Sequence, residues 1–447
     1  MPTLMWFRRD LRVNDLPALS AALEESPETL CCFVLDPQLE NSAGARRLQF
    51  LTESLRALNR DLAGKLLVLR GPPDQCIPRL AQEIDASTVH ISEDCSPFGR
   101  RRDDRVRRAL SGTALVATGS PYLVSPRRIA KQDGSPYRVF TPYFRQWQDH
   151  RWPGPARSQP QATQLIDPSA LPWAGRLDDL PDVSTPSPLP AGEGAAVARW
   201  SEFVADGLAH YEHERDRLDH SGGSCMSAYL KFGNIHPRSM AVDLTSNDAG
   251  SRAYLRQLAF RDFYAAVLYY WPASAWSNWN PRFDQLETDT DARAMELFEC
   301  WKGGQTGYPV VDAGMRELLN TGLMHNRARM VAASFLVKDL HLPWQWGARW
   351  FMENLIDGDM ANNQHGWQWC AGSGTDAAPY FRVFNPTAQG RKFDPDGGYV
   401  RRWVPELADV GDVHATVLDR PRDYPAPVVD HAEERAEALR RYHGNVD

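Results

Sequence analysis

Residues 357–369 combine carboxylates, amides and indoles within thirteen positions, in the order Asp-Gly-Asp-Met-Ala-Asn-Asn-Gln-His-Gly-Trp-Gln-Trp. If this segment is helical, Asp359, Asn363 and Trp367 are spaced by four residues and share one face. A carboxylate, an amide and an indole on one face suit a flat ring that is rich in hydrogen-bonding atoms. The alternative is structural, with an Asp capping the helix and the two tryptophans packed in a core.

Two earlier segments also carry groups that can hold a ligand. Residues 324–330 place the Asn326 amide and the guanidinium groups of Arg327 and Arg329 within one or two helical turns. An arginine near a carboxylate such as Asp357 could form a buried pair that also contacts a ligand, or the pair could be purely structural. Residues 222–227 form a loop of small residues before a helix, where backbone N–H and hydroxyl groups can hold a phosphate.

Length and composition limit the class of protein. A chain of 447 residues is too long for one ordinary core, and we expect two domains. Its 43% hydrophobic and 24% charged residues are typical of a globular protein, and no run of eighteen apolar residues predicts a membrane span. Charged residues at positions 8–10 interrupt the apolar stretch that a signal peptide needs, so we predict a cytoplasmic protein.

Net charge and cysteine content exclude fewer classes of protein than length and composition do. The net charge of -7 argues against general coating of nucleic acid, yet an acidic protein can bind DNA through a local basic surface. None of the seven cysteines has the paired spacing of a zinc site, so we expect reduced thiols and no metal. Most of the 15 tryptophans should lie in cores, and a few could be functional.

The first part of the chain alternates short apolar runs with amphipathic segments. This alternation predicts a parallel, doubly wound α/β sheet, with no G-x-G-x-x-G fingerprint for a dinucleotide. A ligand can still bind at the carboxyl ends of such strands. The expected strands cover residues 4–7, 30–35, 66–69 and 88–91, and the expected helices residues 16–24 and 45–62.

Three segments follow from these patterns. Residues 1–130 form the predicted α/β domain. Residues 131–195 form a predicted interdomain linker, because proline and small polar residues become frequent from about residue 150. Helical periodicity dominates afterwards, so residues 196–447 should form a larger, almost entirely α-helical domain.

Taken together, these segments resemble the photolyase/cryptochrome family, and within it the bacterial class I photolyases that act on cyclobutane pyrimidine dimers. The resemblance covers nearly the whole chain. It begins at Trp-Phe-Arg-Arg-Asp-Leu-Arg (6–12) and passes through Thr-Gly-Tyr-Pro-Val-Val-Asp-Ala (306–313). It continues to Phe-Asn-Pro (384–386) and Arg-Trp-Val-Pro-Glu-Leu (402–407). It implies an N-terminal domain that binds an antenna chromophore and a helical domain that binds FAD in a folded, U-shaped conformation.

The resemblance also implies which residues contact FAD. The serine hydroxyls would bind the pyrophosphate, and Asn363 would lie beside the flavin N5, where an amide suits the fully reduced anionic flavin. Plant cryptochromes carry an acid at this position, so Asn363 favours repair over signalling. The implied contacts are Tyr211, Ser224, Ser227, Arg261, Asn326, Arg329, Asp357, Asp359 and Asn363.

The implied activity is that of a deoxyribodipyrimidine photo-lyase, a carbon–carbon lyase that repairs DNA. Excited reduced FAD would pass an electron to a dimer flipped out of the duplex, the cyclobutane ring would open, and the electron would return. We expect DNA as partner and a monomeric protein. The implied substrate contacts are Gln257, Phe260, Asn326, Met330 and Trp369, with Arg215 and Gln389 at the DNA surface.

The chain departs from the family pattern in the substrate pocket. Gln257 and Phe260 stand where that pattern has Glu and Trp. Either change could weaken dimer binding, and the Gln leaves (6-4) photoproduct repair open. That class has two histidines near positions 326 and 330, whereas only His325 occurs here. A blue-light photoreceptor of cryptochrome type is the alternative from another functional class.

The family's chain of three tryptophans for photoreduction of FAD is also incomplete. Its first two members correspond to Trp367 and Trp344, but the third falls on Asp291. Trp301 and Trp346 are the candidates for the terminal donor, unless they serve only in packing.

Antenna binding is the last implication of the resemblance. Folate-binding relatives carry Asn and Glu where this chain has Phe98 and Gly99. The pattern for 8-hydroxy-5-deazaflavin fits better, and an empty cleft or a flavin in its place are the alternatives. The matching positions are Asp36, Arg47, Asp94 and Lys231.

Overall fold

The computed structural model describes residues 1–158, 160–171, 187–220, 222–245, 247–375, 382–415 and 419–445. The chain forms two compact units, called unit 1 and unit 2 below. Unit 1 contains Met1–Tyr137, Thr141–Ala209 and Ser224–Pro272, and unit 2 contains Arg138–Phe140, His210–Gly223 and Ala273–Asp447.

Unit 1 is built on a five-stranded parallel sheet with the strand order β3-β2-β1-β4-β5. The four predicted strands are confirmed. A fifth, at the sheet edge, has only four residues and is mostly exposed, so it lacks the buried apolar run by which the others were recognised. The strands are β1 (Thr3–Phe7), β2 (Thr29–Leu35), β3 (Leu66–Arg70), β4 (Thr88–Ile91) and β5 (Ala114–Ala117).

Helices connect these strands and extend unit 1 beyond the sheet. The amphipathic residues 45–62 form a helix as predicted, ending one residue earlier, and the helix predicted over residues 16–24 is shifted by one. The α-helices between residues 17 and 206 are α1 (Pro17–Glu25), α2 (Pro37–Glu40), α3 (Ala45–Asp61), α4 (Pro73–Glu83), α5 (Pro97–Ala109), α6 (Phe140–Asp149) and α7 (Glu193–Asp206).

The units divide the chain differently from the three predicted segments. The turn after the helix α9 (Ser227–Phe232) packs against the loop that follows β1. The Leu11 N–H donates to the Phe232 carbonyl at 3.1 Å, and Arg12 donates to the Gly233 carbonyl at 3.0 Å. Gly233 has φ +69°, and a Cβ there would lie 2.1 Å from the Arg9 carbonyl oxygen. This close approach places part of the predicted helical domain in unit 1.

The predicted linker contains a helix that the proline pattern concealed. Two of the buried aromatic residues of α6, Tyr143 and Trp147, are spaced by four, and the Trp147 indole donates to Asp262 at 3.0 Å. Residues 172–186 of the same segment lie outside the described residues.

The remaining described elements are helical, which confirms the predicted α-helical second half. A large apolar core in unit 2 includes Trp301, Phe335 and Phe351, all almost completely buried. Within the described ranges, no helix is long and apolar enough to span a bilayer. The helices are α8 (Tyr211–Glu214), α9, α10 (Pro237–Ala241), α11 (Ala249–Tyr270), α12 (Ala292–Lys302), α13 (Pro309–Thr321), α14 (Asn326–Lys338), α15 (Trp344–Asn354), α16 (Met360–Ala371), α17 (Pro386–Phe393), α18 (Gly398–Trp403) and α19 (His431–Asn445).

Candidate functional site

Residues 357–369, the segment with the densest polar and aromatic residues, become helical at Met360, and Asp359 is the N-cap of this helix. The Asp359 carboxylate accepts the Asn362 backbone N–H at 3.1 Å and the Asn362 side-chain amide at 2.9 Å. The first bond satisfies a backbone donor that a free helix start leaves unpaired. The structural alternative for Asp359 is therefore correct, whether or not the residue also contacts a ligand.

Buried polar side chains anchor α16 to residues 274–279. The Gln364 amide donates to the Ala275 carbonyl at 2.7 Å. Gln368, four residues later, donates to the Ser274 carbonyl and accepts from the Trp279 N–H, each at 2.7 Å. Because these amides find partners on one neighbouring segment, the helix has a defined rotation about its axis.

Asn363 lies on the same helix and is half-buried. Its side-chain nitrogen donates to the Ala348 carbonyl at 3.0 Å and to Gln364 Oε1 at 2.8 Å. Both N–H groups of the amide are thereby used. Its Oδ1 has no hydrogen-bond partner within the described part of the chain, so Asn363 offers an acceptor to a ligand.

Arg329 and Asp357 form the ion pair that the sequence suggested. One guanidinium nitrogen, Nη2, lies 2.9 Å and 3.2 Å from the two carboxylate oxygens. A second nitrogen, Nε, donates to the Met324 carbonyl at 2.9 Å. The Asp357 side chain is 3% exposed and that of Arg329 27% exposed. The pair is thus fixed by α14, with part of the guanidinium still accessible to a ligand.

Three predicted substrate contacts occur in unit 2. Asn326 is the exposed first residue of α14, and its amide nitrogen lies 3.6 Å from the Met330 sulfur. His325 caps this helix by accepting the Arg327 N–H at 3.1 Å, and burial lowers the pKa of His325 to about 4. Met330 and Trp369 are half-buried at the edge of the core. An amide, a thioether and an indole therefore present partly exposed surface for a base to contact.

Tyr211 and Arg215 lie on and directly after the short α8, also in unit 2. The Arg215 guanidinium lies 5.8 Å from the centre of the Tyr211 ring. The following residue, Asp216, pairs with Arg327 at 3.0 Å, and Arg327 stacks on Phe393 at 4.2 Å. Arg327 therefore links the segment after α8 to α14, a role that residue type alone did not indicate.

Gln389, the second predicted DNA contact, is on α17. Its Oε1 is buried without a hydrogen-bond partner among the described residues. A buried acceptor without a donor is costly, so the position suits a ligand or a water that donates a hydrogen bond.

The other predicted FAD and substrate contacts belong to unit 1. The Ser224 hydroxyl lies 2.9 Å from the Tyr254 hydroxyl, and Ser227 is the exposed first residue of α9. Arg261 donates to the carbonyls of Pro121 at 2.8 Å and Leu230 at 3.2 Å. The sequence did not indicate these two carbonyl partners, which hold the guanidinium in place.

The two departures from the family pattern are neighbours on α11. Gln257 and Phe260 are three residues apart on one helical face, and both are half-buried. The Phe260 ring lies 6.0 Å from that of Tyr264 and 5.6 Å from the Arg256 guanidinium. This geometry keeps an aromatic and an amide available for the predicted role.

The aromatic side chains around α16 form a continuous series in the core of unit 2. Trp367 lies 6.0 Å from Trp301 between ring centres, and Trp301 lies 5.9 Å from Phe298. Phe298 in turn lies 5.3 Å from Trp346. Phe351 lies against both Trp301 and Trp367, at 5.9 and 5.0 Å.

The tryptophans predicted as electron donors differ in their exposure to solvent. Trp301 is 0% exposed, so it cannot be a terminal donor at the surface, whereas Trp346 is half-buried. The indole of Trp344 is 5% exposed and donates to Asn278 at 3.0 Å. Trp301 is therefore an interior neighbour of Trp367, and Trp346 is the candidate that solvent can reach.

Two of the four predicted antenna residues, Asp36 and Asp94, lie beyond the carboxyl ends of strands in unit 1. Asp36 follows β2, and its Oδ2 is buried without a partner among the described residues. Asp94 follows β4 and pairs with Arg102 at 3.2 Å. Burial raises the pKa of Asp94, but the guanidinium groups of Arg102, Arg9 and Arg8 outweigh burial and lower it to about 2. Asp36 thus offers a free acceptor, whereas Asp94 already has a partner.

Gly99 allows α5 to approach Asp94 closely. A Cβ at position 99 would lie 2.0 to 2.5 Å from the carboxylate of Asp94. A glutamate, as folate-binding relatives carry there, does not fit without displacing that carboxylate. Arg47 and Lys231, the other matching positions, are both half-buried.

The described residues contain no group of three or more His, Cys, Asp or Glu side chains placed to hold a metal ion. The cysteines at positions 31, 32, 76, 95, 225, 300 and 370 are all free thiols.

Comparison with known proteins decides the family. The family model for DNA photolyase matches residues 3–162, and that for the FAD binding domain of DNA photolyase matches residues 254–444. The chain belongs to the DNA photolyase family. The deoxyribodipyrimidine photo-lyase of Streptomyces griseus is 40% identical, over 96% of each chain, and that of a Thermus thermophilus strain is 40% identical, over 98% of each. These matches confirm the predicted family, enzyme class and FAD domain.

Solved photolyases also share the fold. A bacterial class III photolyase from Agrobacterium tumefaciens superposes with a TM-score of 0.90 at 32% identity, covering 99% of this chain and 97% of that one. The photolyase of Sulfolobus tokodaii, solved with two FAD molecules, has a TM-score of 0.88 at 28% identity, covering 99% and 100%. A Synechocystis cryptochrome has a TM-score of 0.89 at 28% identity, covering 98% of each. The expected resemblance to class I in particular stays a prediction.

Proposed function

We propose that this photolyase repairs cyclobutane pyrimidine dimers in DNA by light-driven electron transfer. The observation that carries the proposal is the state of the Asn363 amide, whose two N–H groups are used within the protein and whose oxygen is left to accept. An acceptor at this point fits the ring N–H that a reduced flavin carries and an oxidised flavin lacks.

Several residues of unit 2 fit FAD. Asn363 would accept from the flavin ring, the accessible part of the Arg329 guanidinium would contact its polar edge, and Asp357 would keep that guanidinium oriented. When bound and reduced, FAD supplies the excited-state electron donor that opens the cyclobutane ring. The further proposed contacts, on the resemblance, are Tyr211, Ser224, Ser227, Arg261, Asn326 and Asp359.

The protein's part in the substrate step is to hold an extruded dimer. Asn326 can hydrogen-bond a base edge, and Met330 and Trp369 offer apolar surface for stacking. Gln257 and Phe260 are proposed to supply an amide and an aromatic ring to the same substrate. Arg215 and Gln389 are the proposed contacts to the DNA backbone.

Signalling and (6-4) repair are the alternatives. The Gln257 amide is the observation that favours (6-4) repair. Against it, burial holds the pKa of His325 near 4, so this histidine is neutral at physiological pH and cannot readily donate a proton to a photoproduct. The neutral Asn363 amide, which has no acidic proton, counts against a cryptochrome-type photoreceptor.

For photoreduction, we propose the aromatic series of unit 2 as a relay. If Trp367 gave an electron to bound oxidised FAD that light had excited, an electron from Trp301 would restore Trp367, and an electron from Trp346 would restore Trp301 through Phe298. A thiol in solution would then reduce the oxidised Trp346. Trp344, predicted as the second member of the family's chain, would provide a second branch.

For the antenna, we propose 8-hydroxy-5-deazaflavin in the cleft at the carboxyl ends of β2 and β4. The unpartnered Asp36 oxygen supports a ligand that donates a hydrogen bond there. The engagement of Asp94 by Arg102 favours Asp36 as the principal contact. A second flavin is the competing occupant, since the Sulfolobus tokodaii photolyase was solved with two FAD molecules. We further propose that the protein is a cytoplasmic monomer.

The substrate claim is tested with three matched oligonucleotides, which carry a cyclobutane dimer, a (6-4) photoproduct or no lesion. The reduced protein is illuminated with each, and the products are separated by chromatography. Light-dependent recovery from the cyclobutane dimer alone supports the proposal. Recovery from the (6-4) photoproduct alone replaces the proposed substrate, and recovery from neither favours the photoreceptor.

A further inference from the structure

Gln364 occupies a buried position between Asn363 and the segment that anchors α16. It is 5% exposed. Its Nε2 donates to the Ala275 carbonyl at 2.7 Å, and its Oε1 accepts from Asn363 Nδ2 at 2.8 Å. The second N–H of that Asn363 nitrogen goes to the Ala348 carbonyl at 3.0 Å. A chain of directed hydrogen bonds thus runs from Ala275 to Asn363.

The direction of this chain follows from the acceptors at its ends. A backbone carbonyl only accepts, so Ala275 must face the amide nitrogen of Gln364. The oxygen of Gln364 then faces Asn363 and can only accept from it. Ala348 imposes the same orientation on Asn363 from the other side. The two acceptors together hold both N–H groups of Asn363 and leave its Oδ1 free of protein donors.

We propose that Gln364 is a positioning residue that holds the Asn363 oxygen toward the flavin and so favours the reduced cofactor. The inference rests on the proposed function, in which Asn363 lies beside the flavin ring. An acceptor stabilises the reduced ring, which carries an N–H, over the oxidised ring, which has none at that nitrogen. A rotated or flipped amide would offer a donor instead and would favour the oxidised ring.

Gln364→Met tests this role, because methionine is similar in size and removes both hydrogen bonds. If Asn363 Oδ1 no longer accepts from the reduced flavin, one net hydrogen bond is lost. The ratio of reduced to oxidised flavin should then change by about fivefold toward the oxidised form. For a two-electron couple this is about 20 mV in the negative direction. The midpoint potential of the holoprotein is measured by equilibration with redox dyes.

Gln368→Met is the matched control. Gln368 is as buried as Gln364, lies one turn away and anchors the same segment through bonds of the same length, but it does not contact Asn363. Its variant should disturb α16 as much and leave the potential unchanged. Equal shifts in both variants would reduce Gln364 to a structural anchor and overturn the proposal, as would a potential unchanged in Gln364→Met.

Gln364→Glu gives a second, independent variant. At this buried position we expect glutamate to stay protonated, so that one oxygen still accepts from Asn363, the O–H donates to Ala275, and no charge is added beside the anionic reduced flavin. The proposal predicts that the ratio of reduced to oxidised flavin at a given potential stays within about twofold of the wild-type ratio, because the bond to Asn363 is kept. A negative shift as large as that of Gln364→Met would contradict it.

A readout without cofactor separates this inference from the proposed function. In apo-protein labelled with ¹⁵N at asparagine, both side-chain N–H protons of Asn363 should exchange slowly. In Gln364→Met the proton that faced Gln364 should exchange faster, by about fivefold. If the labelled amide behaves so and the wild-type protein takes up no flavin, the proposed function fails while the amide orientation stands. Equal exchange in both proteins refutes the orienting role.

Discussion

The ion pair between Arg329 and Asp357 should be a main source of local stability between α14 and the start of α16. Its two contacts, 2.9 and 3.2 Å long, join a carboxylate that is 3% exposed to a guanidinium that is 27% exposed. Hydrogen bonds between charged groups contribute roughly 1.5–3 kcal/mol each. Because one nitrogen makes both contacts and stays partly hydrated, we expect a coupling energy of about 2 kcal/mol for the pair.

A double-mutant cycle isolates this coupling energy, because the effects of each single substitution on the rest of the protein are subtracted. The variants are Asp357→Asn, Arg329→Met and the double variant, all as apo-protein. Because a two-unit chain need not unfold in one step, local opening is followed by hydrogen exchange of peptides covering residues 324–338 and 357–371. A coupling of about 2 kcal/mol corresponds to roughly a thirtyfold change in the opening equilibrium.

The exposed pair between Arg293 and Glu296 on α12 is the control. Its side chains are 62% and 69% exposed, and their separation is 3.2 Å. The same cycle with Arg293→Met and Glu296→Gln should give only about 0.3–0.5 kcal/mol. A coupling for Arg329 and Asp357 no larger than that of this control would refute the reasoning that partial burial makes the first pair strong.

Three further outcomes are expected. Because the folded-state pKa of Asp94 is about 2 against 3.8 ordinarily, its charge stabilises the fold above about pH 4, and this stabilisation disappears as the pH falls through 2. Asp94→Asn should therefore cost about 2 kcal/mol at pH 6 and almost nothing at pH 2, as measured by denaturant unfolding of unit 1. An equal cost at both pH values would contradict the assignment. Gly99→Ala should lower the stability by about 1–3 kcal/mol, since its Cβ would meet the Asp94 carboxylate, and an unchanged melting temperature would show that this carboxylate moves freely. Trp346→Phe should reduce the yield of light-driven flavin reduction, and Trp301→Phe should reduce it at least as much because it interrupts the same series further inside. Full reduction in both variants would exclude the relay.

Much of the fold follows from patterns that depend only on neighbouring residues. The apolar runs of β1 to β4 are buried in the parallel sheet, and helical periodicity identifies α3 and the helical second half. β5 escaped because an exposed edge strand needs no apolar run. The packing of the Gly233 turn against Arg9 could not be read from local sequence, since it depends on contacts between residues over 200 positions apart.

The candidate site divides in the same way. The pairing of Arg329 with Asp357 was expected from the family resemblance, and a capping Asp was part of the structural interpretation of residues 357–369. The hydrogen bonds of Gln364 were not predicted, although two amides four residues apart, Gln364 and Gln368, mark a polar face on a helix rich in tryptophan. Their partners are backbone carbonyls, which every residue carries, so residue type alone could not identify them.

Recovery of thymine absorbance near 260 nm tests the central claim most directly. The protein with chemically reduced flavin is mixed with an oligonucleotide that contains one cyclobutane thymine dimer, and parallel samples are kept in blue light and in darkness. The account predicts recovery that grows with illumination and does not occur in the dark or with flavin-free protein. Absorbance that stays constant under light with fully reduced flavin bound, or that recovers equally in the dark, would contradict light-driven dimer repair.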